Sequence, residues 1–234
     1  MIGSHANAEA VTETKKTAAK TTLRVLLVED SEVDAHLILT LLRKGGYEPI
    51  YQRVQTGGEM KAALEAQKAG KVRYIGFTGH KDPRIHLKML GKDHPWDTAQ
   101  MPINVMDAHY RSFQKEVVTV CLQKNVGVIG MKSLGGQFPR GRIPTSTNVS
   151  AQECIRYALS LPVASLVVGI ISMEDLKQDV AIARGFKPMP DTEKTSLLAR
   201  VRDEAGDGRH ELFKSTQAFD GPHHRRQHNF AVQA

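Results

Sequence analysis

Cysteine is nearly absent. Cys121 and Cys154 are the only two in 234 residues, which excludes a disulfide framework and a thiolate metal cluster. That scarcity points to a reducing compartment, and a cytoplasmic location is expected. Aromatic residues are also few, at 6% with a single tryptophan. No basic stripe carries interleaved aromatics, so no nucleic-acid partner is expected. No apolar run reaches the roughly 18 residues of a membrane span, and the N-terminus lacks the apolar stretch of a secretion signal. No membrane partner is therefore expected. Acidic residues number 25 against 32 basic ones, giving +7 and a pI near 9.4. The excess is local, with Lys15, Lys16 and Lys20 at one end and Arg225 and Arg226 at the other. Otherwise the composition, 41% hydrophobic and 24% charged, is that of an ordinary globular chain.

Residues 1–22 hold almost no large apolar side chains. They cannot offset their ordering entropy and read as a disordered tail. Order begins at LRVLLVEDSE, where residues 25–28 form a short apolar run suited to a buried strand. A helix over 32–43, ended by Gly45 and Gly46, and a strand over 49–54 follow. A helix is then expected over 59–69. Strands are expected over 72–77, 98–105, 126–131 and 165–170. Helices are expected near 84–91, 112–124, 151–161, 173–185, 191–202 and 211–213. Strands alternating with helices imply a parallel sheet with right-handed crossovers. The fold class is therefore α/β with about six parallel βα units, fewer than an eight-stranded barrel requires.

Two resemblances meet at residues 55–59. LRVLLVEDSEVDAHLILTLLRKGGYEP resembles the first βαβ unit of a response-regulator receiver domain, a flavodoxin-like start. That resemblance implies Mg²⁺ at Glu29 and Asp30, since paired carboxylates after a parallel strand suit a hard cation. The competing reading makes them solvated groups capping the next helix. The receiver resemblance stops after two strands, and no later strand end offers the carboxylate that would accept a phosphoryl group.

Residues 57–234 resemble the C-terminal half of an aldo/keto reductase, the fifth to eighth strands of an α/β barrel. GKVRYIGFTGHKDPRIH, WDTAQMPINVMDAHYRSFQKEV, NVGVIGMKSLGG and ECIRYALSLPVASLVVGIISMEDLKQDVAIARGFKP occur in family order, with a closing ELFKSTQAFDGPHHRRQH. The resemblance implies an NAD(P)-dependent oxidoreductase framework. It also implies cofactor contacts at Thr78 and Gly79, Gln100, Met131 and, in the following loop, Ser133. Gly169 and Ser172 fall at the adenosine-phosphate position, and Gln178 and Asp179 at the adenine position. The commoner family residues are Ser-Asn at the first pair and a stacking Tyr in place of Met131. Glu174 and Asp175 stand where the family often places cations for a 2′-phosphate, so selectivity for NADP over NAD is not implied. No position matches the catalytic Asp, Tyr, Lys and His, and His80 lies in the fifth-strand motif instead. The expected organisation is a tail (1–22), a receiver-like fragment (23–56) and a half-barrel (57–234), as in a chimera.

Several residues have a plainer reading. Tyr74 is expected to fill a pocket between layers, Trp96 to anchor packing and Cys121 to be a buried structural thiol. The tail histidines His223, His224 and His228 read as solvated. Two functional classes remain: an oxidoreductase-derived chain without turnover, and a non-enzymatic scaffold or receiver-like fragment. An incomplete barrel exposes an apolar face, so a homo-oligomer is expected unless LRVLLV docks against SLVVGI.

Overall fold

The computed structural model describes residues 21–28, 36, 39–40, 42–54, 57–136 and 142–215. Glu29, Asp30 and the tail histidines lie outside the described residues.

Among the described residues there are six parallel strands, as the alternating pattern predicts, but they form two sheets and not one. β1 (Thr21–Val28) pairs with β2 (Tyr47–Val54) along its full length, from Thr21 opposite Tyr47 to Val28 opposite Val54. LRVLLV therefore joins YEPIYQRV and does not seal the other sheet at SLVVGI. After α1 (Gly57–Lys68), the second sheet runs in simple order: β3 (Gly76–Thr78), β4 (Thr98–Pro102), β5 (Gly127–Met131) and β6 (Ser165–Leu166).

Helices fill every crossover of this four-stranded sheet. α2 (Pro83–Leu90) starts under an Asp82 cap, whose carboxylate accepts the Arg84 amide, and proline suits its first turn. A five-residue π-helical turn, Gln114–Val118, runs into α3 (Thr119–Gln123). α4 (Arg142–Ser146) precedes α5 (Ala151–Leu159), which opens with a reciprocal capping box between Ser150 and Glu153. α6 (Met173–Arg184), α7 (Asp191–Ala205) and α8 (Leu212–Ser215) follow.

Successive parallel strands joined by same-handed crossovers put their helices on one face. Phe77, Ala99, Met101 and Val128 point that way and pack with Leu90, Val117, Val118, Cys121 and Ala158. Trp96 is buried beside them as expected; its ring meets Phe77 edge-on at 5.1 Å and its indole N–H donates to the Met89 carbonyl. Parallel strands are normally covered on both faces. Here Thr78, Gln100, Ile129 and Met131 alternate with the buried set and remain half-buried.

Three strands are shorter than their apolar runs. Residues 72–75 leave the ladder because the Ile75 amide donates to the Asp97 carboxylate at 2.7 Å. Tyr74 thus stands 68% exposed rather than filling a pocket, with the Arg73 guanidinium 5.4 Å from its ring centre. β4 stops at Pro102, and the Asn104 side chain then takes the Met106 and Asp107 amides into a turn. β6 keeps two residues at an edge with no further partner among the described residues.

Candidate functional site

The residues at the C-terminal ends of β3, β4 and β5 converge. Thr78 lies opposite Gln100 in register, and the Gly79 amide donates to the Gln100 carbonyl at 3.3 Å. The same carbonyl is 2.9 Å from Nε2 of His86, which is buried on α2. Burial holds the His86 ring below its ordinary pKa, so it is a neutral donor here. Its edge-on contact with Phe113 at 5.0 Å and tilted contact with Phe77 fix the ring. A Cβ at Gly79 would come within 2.9 Å of His86 Cε1, so only glycine fits between strand end and ring. The Gln100 amide reaches across to the Met131 sulfur at 3.4 Å. Thr78, Gln100 and Met131 therefore form one cluster on the sheet's half-buried face, with Gly79 between that strand end and the His86 ring.

The loop after Met131 is conformationally special. Lys132 has φ +54°, and Gly135 and Gly136 have φ +80° and +56°. A side chain at Gly135 would strike Ile143, which explains glycine at that turn. Ser133 is buried, and its hydroxyl has no partner among the described residues.

The residues expected at the adenosine end lie after β6 and on α6. Gly169 is exposed beyond β6, and Ser172 caps α6 by accepting the Asp175 amide. Gln178 and Asp179 lie one residue apart on α6, with the Gln178 amide 3.5 Å from Asp179 Oδ1. No hydrogen bond among the described residues joins these four to Gln100 or Met131. The first turn of α6 carries Glu174 and Asp175 and no cation.

A buried charge cluster escaped the sequence reading. Lys214 on α8 places Nζ 2.5 Å from Asp107 Oδ1, 2.9 Å from Glu211 Oε1 and 3.0 Å from the Tyr110 carbonyl. All three charged side chains are fully buried. Asp107 also accepts the amides of Phe113 and Gln114 and the Ser112 hydroxyl. Asn104 donates to Glu211 at 2.9 Å. Two carboxylates face one ammonium, and burial pushes Glu211 up to about 7. Burial raises the Asp107 carboxyl too, opposed by the Lys214 charge and the Gln114 and Phe113 amides, and one proton shared by the two carboxyls would make the cluster neutral. The cluster fastens the chain's last described helix to the turn after β4.

Cys121 and Cys154 are both free and buried, and burial pushes their thiols up to about 11 and about 12. They are structural, as expected for Cys121. No group of three His, Cys, Asp or Glu side chains among the described residues could hold a metal. No helix among the described residues is long and apolar enough to cross a membrane.

Residues 58–153 match the sequence model of the aldo/keto reductase family. The matched stretch contains Thr78, Gly79, Gln100, Met131 and Ser133, and ends before Gly169. No curated protein matches the chain. Among solved structures, a protein carrying the provisional description 2,5-diketo-D-gluconic acid reductase B superposes with a TM-score of 0.49 at 16% identity over 76% of this chain. The chain spans 66% of that protein, less than two thirds of its length.

Proposed function

We propose that this chain is an aldo/keto-reductase-derived half-barrel that binds a nicotinamide cofactor weakly and does not turn over a carbonyl substrate by itself. The observation that carries the reading is the alignment of Thr78, Gln100 and Met131 on the half-buried face of three adjacent family-matched strands. A hydroxyl, an amide and a polarizable thioether there suit a flat amide-bearing ring. The unpartnered Ser133 hydroxyl adds one unspent hydrogen-bonding group in the adjoining loop. The 2′-phosphate of NADP does not fit the start of α6, where Glu174 and Asp175 would repel it, so the residues favour NAD. A bound dinucleotide would supply a hydride. The sequence from 1 to 234 offers no match for the family's proton-donating Tyr or its Asp, Lys and His, and loss of such a set costs many powers of ten. The free buried thiols agree with a cytoplasmic setting.

Titration of NADH and NADPH against the purified chain, followed by cofactor fluorescence, tests the reading. NADH should bind more tightly than NADPH, and Gln100→Ala should weaken it. Equal binding by Gln100→Ala would refute the site, and robust reduction of a nitrobenzaldehyde would refute inactivity.

A second reading rests on β1 and β2, which pair in parallel as a sheet of their own. This supports a receiver-like fragment serving as a scaffold, with Glu29 and Asp30 as weak Mg²⁺ ligands. Acetyl phosphate should leave no acid-labile adduct in intact-mass spectra; a stoichiometric adduct would show a working receiver. We also propose self-association. The open edge at β6 lies beside exposed Val167, Ile170, Ile171 and Met173, and α6 buries none of its residues. Light scattering at micromolar concentration should report a dimer; a monomer of 25.9 kDa would overturn this.

A further inference from the structure

A cavity of about 400 Å³ opens between the turn after β4, the π-helical turn and α7, and none of Thr78, Gly79, Gln100 or Met131 lines it. Its lining is Ala108, His109, Lys115, Thr195, Leu198 and Arg202. Thr195, Leu198 and Arg202 follow the helical repeat and share one face of α7. The size falls in the ordinary range for small-molecule pockets, about 300–1,000 Å³.

The electrostatics are unusual. Three cation-forming side chains converge and the lining holds no carboxylate. Neither Lys115 nor Arg202 is in an ion pair among the described residues. His109 Nε2 is buried without a hydrogen-bond partner among them. The ring leans on the Leu198 carbonyl, yet burial, Lys115 and Arg202 together hold it below its ordinary pKa. Like charges gathered without a counter-charge raise the energy of the free protein, and an anion placed among them relieves it. Lys and Arg together supply two permanent charges, and the imidazole, whose other nitrogen gives its N–H to the Leu198 carbonyl, supplies a third donor at Nε2 once an adjacent anion favours its protonation. That matches a dianion better than a single carboxylate. Ala108 and Leu198 offer an apolar wall for a carbon body.

We propose that this cavity binds a phosphate monoester, with Lys115, Arg202 and His109 around the phosphoryl group and Ala108 and Leu198 against the organic part. The site is independent of the nicotinamide reading.

Inorganic phosphate is the probe, added at constant ionic strength while the His109 ring resonances are followed by NMR. The expected result is a saturable movement of those resonances. It should weaken at least ten-fold in Lys115→Gln/Arg202→Gln, a pair of exposed positions whose change spares the core, and persist in Gln100→Ala. Acetate at the same ionic strength should produce no saturable movement. A linear, non-saturating response, an unaffected double variant, or acetate acting as well as phosphate would each overturn the proposal.

Discussion

Replacing Lys214 by Met removes the only cation from a fully buried cluster and keeps most of its volume. Two carboxyl groups, Asp107 and Glu211, would then share a water-free site with one fewer partner each. Breaking a buried pair by deleting one partner typically costs about 3–5 kcal/mol, because the remaining charge stays desolvated. Protonation of Glu211 absorbs part of that, so a loss near the lower end, about 3 kcal/mol, is expected. Urea unfolding followed by circular dichroism at pH 7.5 measures it. Glu211→Gln provides the companion test, because it removes the ionisable group while leaving the Asp107–Lys214 pair; it should cost at least about 2 kcal/mol less than Lys214→Met. The sign of the pH dependence follows from the raised carboxyl. The folded chain holds a proton on Glu211 that the unfolded chain releases above 4.5, its ordinary value. Glu211's contribution is thus fully present below about pH 4.5 and lost as pH rises through about 7, and Glu211→Gln should abolish that slope. A Lys214→Met loss under about 1 kcal/mol, or an unchanged slope in Glu211→Gln, would refute the reasoning.

Three further outcomes are expected. His86 is held neutral in the fold, so its contribution is present above pH 6.5 and lost as pH falls through its lowered folded value; an NMR midpoint at or above 6.5 would contradict this. Cys121, pushed up to about 11, should resist Ellman's reagent at pH 8 until urea unfolds the chain, and reaction at the rate of a free thiol would show the site to be open. Gly79→Ala forces a methyl against the His86 ring and should destabilise by about 1–3 kcal/mol; unchanged thermal unfolding would show that strand end to be looser than the geometry implies.

Much of the strand pattern was legible because apolar runs and glycine breaks mark a βα rhythm. Residues 127–131 and 173–184 differ from the expected bounds by one residue. The departures have local causes. Asp97 captures the Ile75 amide and shortens β3, and Asn104 turns the chain after Pro102. α4 was missed because Pro144 reads as a breaker, whereas proline is tolerated in a first helical turn. The division into two sheets was not legible, since pairing partners depend on packing that period alone does not encode. The resemblance named Gln100 and Met131 separately, and their contact is visible only in the fold. The Lys214–Asp107 pair was not legible, because its members lie 107 residues apart and no motif or spacing links them. The basic cavity likewise draws on distant segments and carries no motif.

The π-helical turn at Gln114–Val118 has a consequence for how this sequence tolerates length change. A π turn accommodates one residue more than an α turn over the same rise. Deleting a residue there would let the segment relax to an ordinary α-helix and keep everything beyond in phase. Deleting Thr119 or Val120 instead would rotate later residues by about 100° and swing Cys121 out of the core. Gln114, whose side chain accepts the Tyr157 hydroxyl at 2.7 Å, pins the start of the wide turn to α5. A one-residue deletion scan across 112–124 should therefore show a narrow permissive window just after Gln114, flanked by positions where the same edit abolishes folding.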